Sequence, residues 1–215
     1  MNLLKYVIIL SLFAFQTAPS QTFVDDVERV AIVVIDYCVD ENGKQYNIKI
    51  NQEKSTYKHD GWQQGCLEHF NNGVLRDPMN MVNKCWQSVY YFVNSKYKTY
   101  ELPKAEREKC KDLHRGTFKY ESPAYSETKI KRRKRKQIEK GGYGGKQIYN
   151  IEWLDDHIYT LETVKMSLAK DKIKEGDIIT VEIIELLDED TYLYKAYSKD
   201  EETDNNVVYG LISRV

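Results

Sequence analysis

The sequence predicts two units in series behind a cleavable leader: a small α+β unit, then an all-β unit. Three observations carry this reading. Before residue 110, an Asn-Gly hairpin is followed by a helical pattern and a long strand. After the stretch 110–120, CKDLHRGTFKY, short strand-like runs follow one another with no helical period among them. The chain also holds 17 tyrosines in 215 residues, beside many Val, Ile and Thr. Aromatic and β-branched side chains of this kind pack on pleated surfaces.

The chain opens MNLLKYVIILSLFAFQTAPSQ. Lys5 supplies a positive start, and residues 6–15 are apolar. That run is too short to span a bilayer as a helix, which takes roughly 20 apolar residues. Ala18 and Ser20 stand at −3 and −1 before Gln21, the small residues a signal peptidase accepts. Residues 1–20 are therefore expected to be a signal peptide, and the mature chain to begin at Gln21. No Cys follows the apolar run and no later segment is apolar enough to cross a membrane. A soluble secreted or periplasmic protein is expected, with no transmembrane segment after cleavage. The formal net charge of −1 argues against a nucleic-acid partner.

Four cysteines, Cys38, Cys66, Cys85 and Cys110, suit two disulfides in an oxidising compartment. Four allow three connectivities, and sequence does not choose among them. The pairing expected joins Cys66, on the sheet-facing side of a helix, to Cys85 at the start of a strand. Cys38 and Cys110 are then left to fasten the two units together.

Within the first unit, residues 21–109, a continuous apolar run at 30–35 reads as a central strand. Asn42-Gly43 turns it into a second strand at 45–50, where Tyr46, Ile48 and Ile50 alternate with Asn47 and Lys49. Residues 59–72 read as a helix capped by Asp60, with Trp62, Cys66, Leu67 and Phe70 on one face. Asn72-Gly73 ends it, and Asp77-Pro78 marks a loop. Residues 85–97 read as a long third strand, and the charged stretch 101–111 as a connecting helix.

The hairpin VVIDYCVDENGKQYNIKI, with the helix and strand behind it, resembles the C-terminal domain of TonB-like proteins. The resemblance implies a small sheet with one packed helix and a sheet edge able to take a peptide strand. A TonB energy transducer also has a membrane helix and a Pro-rich spacer. This chain has a leader instead and only four prolines, so energy transduction is not carried over.

In the second unit, residues 110–215, strands are expected at 116–120, 128–132, 136–139, 146–153, 157–162, 177–187, 191–198 and 207–215. Turn residues separate them, among them Gly141-Gly142-Tyr143-Gly144-Gly145, Asp155-Asp156 and Asp188–Asp190. Such spacing predicts an antiparallel β-meander, closed or half-closed.

The pattern C-x5-G-x-F-x-Y from Cys110, then Ile130-x-Arg132, Gln137-x-Glu139, Glu152-Trp153 and Tyr159-x-Leu161, resembles a group of small exported bacterial β-proteins of unassigned function. Their layout is lipocalin-like, which implies a barrel or half-barrel here. Many of them carry a second Cys before the Tyr-x-Leu strand, where this chain has His157. The resemblance thus implies that Cys110 lacks a partner within its own unit.

Candidate chemistry is sparse. The basic run at 129–140, with Lys131, Arg132, Arg133 and Arg135, could meet an anionic envelope ligand; its plainer reading is a solvated hairpin tip charged against edge pairing. The glycine run imitates a phosphate loop but leads into a strand, where a phosphate loop needs a helix N-terminus. Cys66 with His69 and Cys110 with His114 have metal-like spacing, yet disulfide use suits an exported chain better. The loop carboxylates, including the run 200–204, read as ordinary solvated turns. No nucleophile elbow and no HExxH motif is present. A non-enzymatic exported binding or adaptor protein of the bacterial envelope is expected, without a cofactor. Trp153 and Tyr159 are its candidate pocket residues, alongside the basic four. Its expected partner is a small apolar or anionic envelope ligand, or an envelope protein met through the sheet edge. The alternatives are a transducer-like or assembly protein and an envelope hydrolase.

Overall fold

The structure, a computed structural model, describes residues 21–74, 82–123, 125–141, 145–166, 175–198 and 207–215. The expected leader, the Asp77-Pro78 loop, the centre of the glycine run and the acidic run 200–204 lie outside the described residues.

The first half is a four-stranded sheet. Its strands are β1 (Gln21–Val24), β2 (Val30–Val39), β3 (Gln45–Ile50) and β4 (Lys84–Asn94), in the order β1-β4-β2-β3. β2 runs antiparallel to β3 and β4, and β1 joins parallel to β4. The continuous apolar run of β2 has a physical reason: both of its faces are covered. Val33, Ile35, Tyr37 and Val39 lie in one cluster with Cys66 and Phe70. Ile32 and Val34 pack on the opposite face with Val89 and Tyr91.

Helix α1 (Asp60–His69) lies on the sheet and continues as a π turn, Phe70–Val74. Its cap is His59, whose Nδ1 accepts from the Trp62 amide, so the expected Asp60 cap is corrected to the residue before it. Phe70 and Cys66 are buried against the sheet, while Trp62 is 39% exposed and meets the Phe92 ring edge-to-face. Burying a side chain such as Phe70 is worth about 1.5–3 kcal/mol. β3 departs from simple alternation: Asn47 has φ 54 and the β2–β3 register shifts opposite it. Ile48 and Ile50 reach the core, but Tyr46 stays 53% exposed.

The connecting helix expected at 101–111 is instead a short helix α2 (Lys104–Arg107) and a 3-10 segment, Glu108–His114. Cys110 and Leu113, three apart, are both buried. A 3-10 turn sets residues at that spacing one above the other.

The second half is a closed eight-stranded barrel of antiparallel neighbours. Its strands are β5 (Gly116–Tyr120), β6 (Lys129–Arg133), β7 (Lys136–Lys140), β8 (Lys146–Asp155), β9 (Ile158–Met166), β10 (Ile178–Leu186), β11 (Thr191–Ser198) and β12 (Val208–Arg214). Each pairs with the next, and β12 closes on β5 through Ile212 opposite Tyr120 and Arg214 opposite Phe118. The meander thereby loses its free edges.

The sheet packs against the outer wall of the barrel. Val93, Tyr97, Phe23 and Val30 meet Ile184, Leu193, Val207 and Tyr209 in one apolar cluster. Arg29 Nε lies 2.9 Å from Glu185 Oε2, and the Tyr97 hydroxyl donates to the same oxygen.

The disulfide pairing expected from sequence is overturned. Cys38 bonds Cys85, its direct partner across β2 and β4, while Cys66 and Cys110 are free and buried. The strand register explains this. It places Cys38 opposite Cys85, whereas Cys66 faces the core beside Phe70 and Cys110 packs with Leu113 and Phe118 at the barrel floor.

Candidate ligand-binding cavity

The barrel interior divides into a packed floor and an open cavity. Floor and wall both follow from strand alternation, which points every second residue inward.

At the floor, Phe118, Ile130, Ile183, Tyr192 and Ile212 from five strands close on Cys110 and Leu113 of the 3-10 segment. Arg132 stands in the middle, 2% exposed. Its guanidinium donates to Gln137 Oε1 at 3.0 Å, to the Leu113 carbonyl at 2.9 Å, and to the Tyr159 and Tyr192 hydroxyls at 2.9 and 3.0 Å. It also sits 4.8 Å from the Phe118 ring centre and 4.7 Å from that of Tyr159. Burial alone would lower its pKa, but the tyrosine hydroxyls around it outweigh burial and the group is held charged. Trp153 seals the side, packed 4.5 Å from the Tyr159 ring and stacked on His114 at 3.5 Å. His114 Nε2 donates to the Asp156 carbonyl, 2.9 Å away, and burial lowers its pKa.

Above the floor is a cavity of about 470 Å³. Tyr120, Tyr149, Tyr159 and Tyr194 line it from the barrel strands, and Tyr91, Tyr125 and Tyr197 join them. Tyr91 comes from β4, so the first sheet contributes directly to the wall. Leu161, Ile179, Val181 and Ala196 supply aliphatic surface. Gly141 and Gly145, at the ends of the glycine run, also border it. Gly141 has φ +103, and a Cβ there would meet the Glu127 carbonyl oxygen at 2.4 Å, so glycine is required. Gly210 plays another part: the Tyr194 ring lies over it, and an added Cβ would meet the ring and hydroxyl at under 3 Å. Glycine at 210 is what lets Tyr194 lie flat along the wall.

Among the described lining residues the one carboxyl side chain is Glu139, 8% exposed. Gln137 Nε2 donates to its Oε1 at 2.8 Å, and the Tyr120 hydroxyl approaches both oxygens at 3.2 and 3.3 Å. Through Gln137 the carboxylate is linked to Arg132, making a polar chain from floor to cavity. Burial raises the Glu139 pKa, against the hydrogen bonds from Gln137 and Tyr120 and the charge of Arg132, which pull it down.

Of the residues singled out from sequence, Tyr159 lines the cavity and Arg132 lies beneath it. Trp153 and Arg135 border an outer hollow at the opposite end, beside His114, Arg115 and Lys134. Lys131, Arg133 and Arg135 are exposed on the outside of the β6–β7 hairpin and do not share the cavity with Arg132. Gln137 and Glu139 are not among the site residues expected from sequence. The signal available was parity: Gln137 and Glu139 share one face of β7.

The metal-like pairs do not assemble. Cys66 is in the sheet core while His69 lies 3.1 Å from the Tyr90 hydroxyl, and Cys110 is in the floor while His114 stacks on Trp153. Among the described residues no group of three His, Cys, Asp or Glu side chains gathers to hold a metal. Burial pushes both free thiols up to about 12, far from the thiolate form. Asp188 closes its own turn, its Oδ1 accepting from the amides of Asp190 and Thr191 at 2.8 and 2.7 Å. No helix among the described residues is long and apolar enough to cross a membrane.

Compared with models of known protein families, with curated proteins and with solved structures, the chain matches none, so neither the TonB-like nor the lipocalin-like resemblance gains support there.

Proposed function

We propose that this is an exported, non-enzymatic protein that carries or captures a small, largely apolar molecule inside its barrel. The observation that carries the reading is the 470 Å³ cavity walled by tyrosines and aliphatic side chains. Ligand sites are concave, mostly apolar and furnished with a few placed polar groups, and this wall has that composition. Small barrels are often filled by their own side chains; here the filling stops at the Arg132 floor. The Cys38–Cys85 disulfide and the leader-like first residues support export. The exposed Lys129, Lys131, Arg133 and Lys136 on the outer face fit a barrel bathed in water.

Peptide capture at the sheet edge draws less support. The free edge of β3 is kinked at Asn47 and carries Lys49, with Lys44 just before the strand, features that discourage strand addition.

The test is uptake of a neutral apolar fluorophore, N-phenyl-1-naphthylamine, by the purified mature chain. Saturable enhancement is expected in the natural protein and loss of it in Ala196→Trp, where the indole would occupy the cavity. A natural protein that gives no enhancement overturns the reading.

A further inference from the structure

A largely apolar wall says little about which molecules it selects. The charge pattern of this wall says more. Glu139 is a buried carboxyl group at the cavity surface. Among the described lining residues there is no Lys, Arg or His. The cation of the interior, Arg132, is spent on Gln137, Leu113, Tyr159 and Tyr192 below the cavity.

The carboxylate also has acceptor capacity to spare. An ionised carboxylate offers about four lone-pair sites. Two donors approach Glu139, the Gln137 amide and the Tyr120 hydroxyl, and the hydroxyl is shared between the oxygens at 3.2 and 3.3 Å. Those are long contacts for O–H···O⁻, which close to about 2.5–2.7 Å when well made. A stronger donor in the cavity would find the second oxygen under-used.

The rest of the wall suits a cation as well. Tyr120, Tyr149, Tyr159 and Tyr194 line the same cavity as Glu139. Aromatic cages of this kind attract ammonium groups through the ring quadrupole, most strongly when desolvated. A ligand carboxylate, in contrast, would face Glu139 with no basic side chain to receive it.

We propose that the cavity selects a small organic cation, an aromatic or aliphatic body bearing one protonated amine that hydrogen-bonds to Glu139. The proposal rests on the carrier reading above and narrows its ligand class. It replaces the anionic ligand expected from the basic run, whose exposed members lie outside the barrel.

Isothermal titration with three indoles of one ring system tests it: tryptamine, the alcohol tryptophol and indole-3-propionate. Tryptamine is expected to bind about ten-fold or more tighter than tryptophol, and the acid weakest of the three. In Glu139→Gln, tryptamine should fall to within about three-fold of tryptophol, while the variant still unfolds cooperatively in urea. That last readout separates loss of the charge from damage to the barrel. Equal binding of amine and alcohol by the natural protein, preference for the acid, or no binding of any of the three overturns the cation proposal. Uptake of the neutral fluorophore in the same preparation keeps the carrier reading standing in each of those cases, and its failure removes both.

Discussion

Replacing Arg132 by Met keeps the length and apolar stem of the side chain and deletes its donors. Four hydrogen bonds disappear, to Gln137 Oε1, the Leu113 carbonyl and the Tyr159 and Tyr192 hydroxyls. At 2% exposure, water has no ready access to the acceptors left behind. Each orphaned buried acceptor costs about 1–3 kcal/mol. Removing one member of a buried ionic network costs about 3–5 kcal/mol, less than the sum because the group relaxes as a unit. Arg132→Met is therefore expected to lose about 3–5 kcal/mol, a large share of the roughly 5–15 kcal/mol of a whole domain. Urea unfolding followed by tryptophan emission, with Trp153 at the floor as one reporter, gives the number. The midpoint should fall at unchanged slope. Adding Glu139→Gln should recover part of the loss, because Arg132→Met leaves that carboxyl without its compensating charge. A single variant within about 1 kcal/mol of the natural protein, unfolding cooperatively, would refute the claim that the floor depends on this guanidinium.

The Glu139 pKa is raised by burial despite Gln137, Tyr120 and Arg132, so the native state holds that proton to higher pH than the unfolded chain, where a glutamate titrates near about 4.3. Stability from this group is thus lost as pH rises through the window above that value; Glu139→Gln should be more stable than the natural protein at neutral pH, and the gap should close in melts run at acid pH. The Cys38–Cys85 bridge spans 47 residues, for which chain entropy allows about 4 kcal/mol, so a double Ser variant should lower the urea midpoint by up to that amount and abolish the effect of added reductant. Cys66 and Cys110, with thiols pushed up to about 12, should resist iodoacetamide in the native protein and react fully in denaturant; labelling of native protein would contradict their burial. Gly65 is helical and exposed with nothing within 4 Å of an added Cβ, so Gly65→Ala should stabilise by about 0.5–1 kcal/mol in the same unfolding assay.

Much of the fold is legible in the residues because the turns are chemically explicit. Asn42-Gly43, Asp155-Asp156 and Asp188–Asp190 punctuate runs whose β-propensity is high, and all eight barrel strands lie close to where alternation and turns place them. β1 is absent from the sequence reading. It is four residues long, too short for alternation to show, and it stands at the expected start of the mature chain. The disulfide was hidden for another reason. Cys38 and Cys85 meet only once β2 and β4 are in register, and register between strands so far apart in sequence leaves no local trace.

The cavity was masked by a reversal of the usual pattern. In β7, Lys-Gln-Ile-Glu-Lys, an amphipathic reading sends Ile138 inward and the amide and carboxylate outward. The structure does the opposite: Gln137 and Glu139 are buried and Ile138 is half-exposed. β6 shows why. There Ile130 and Arg132 share the inward face between the exposed Lys129, Lys131 and Arg133. Register then sets Arg132 opposite Gln137 and Ile130 opposite Glu139. The guanidinium can be buried only if acceptors come with it, and Gln137 supplies one. Gln137 in turn donates to Glu139, which carries the polar chain up to the tyrosine wall. Arg132, the basic residue that shares a face of β6 with Ile130, is therefore a clue in this sequence to a polar line inside the barrel. A charged run read residue by residue, with alternating faces kept apart, separates that member from the solvated ones around it.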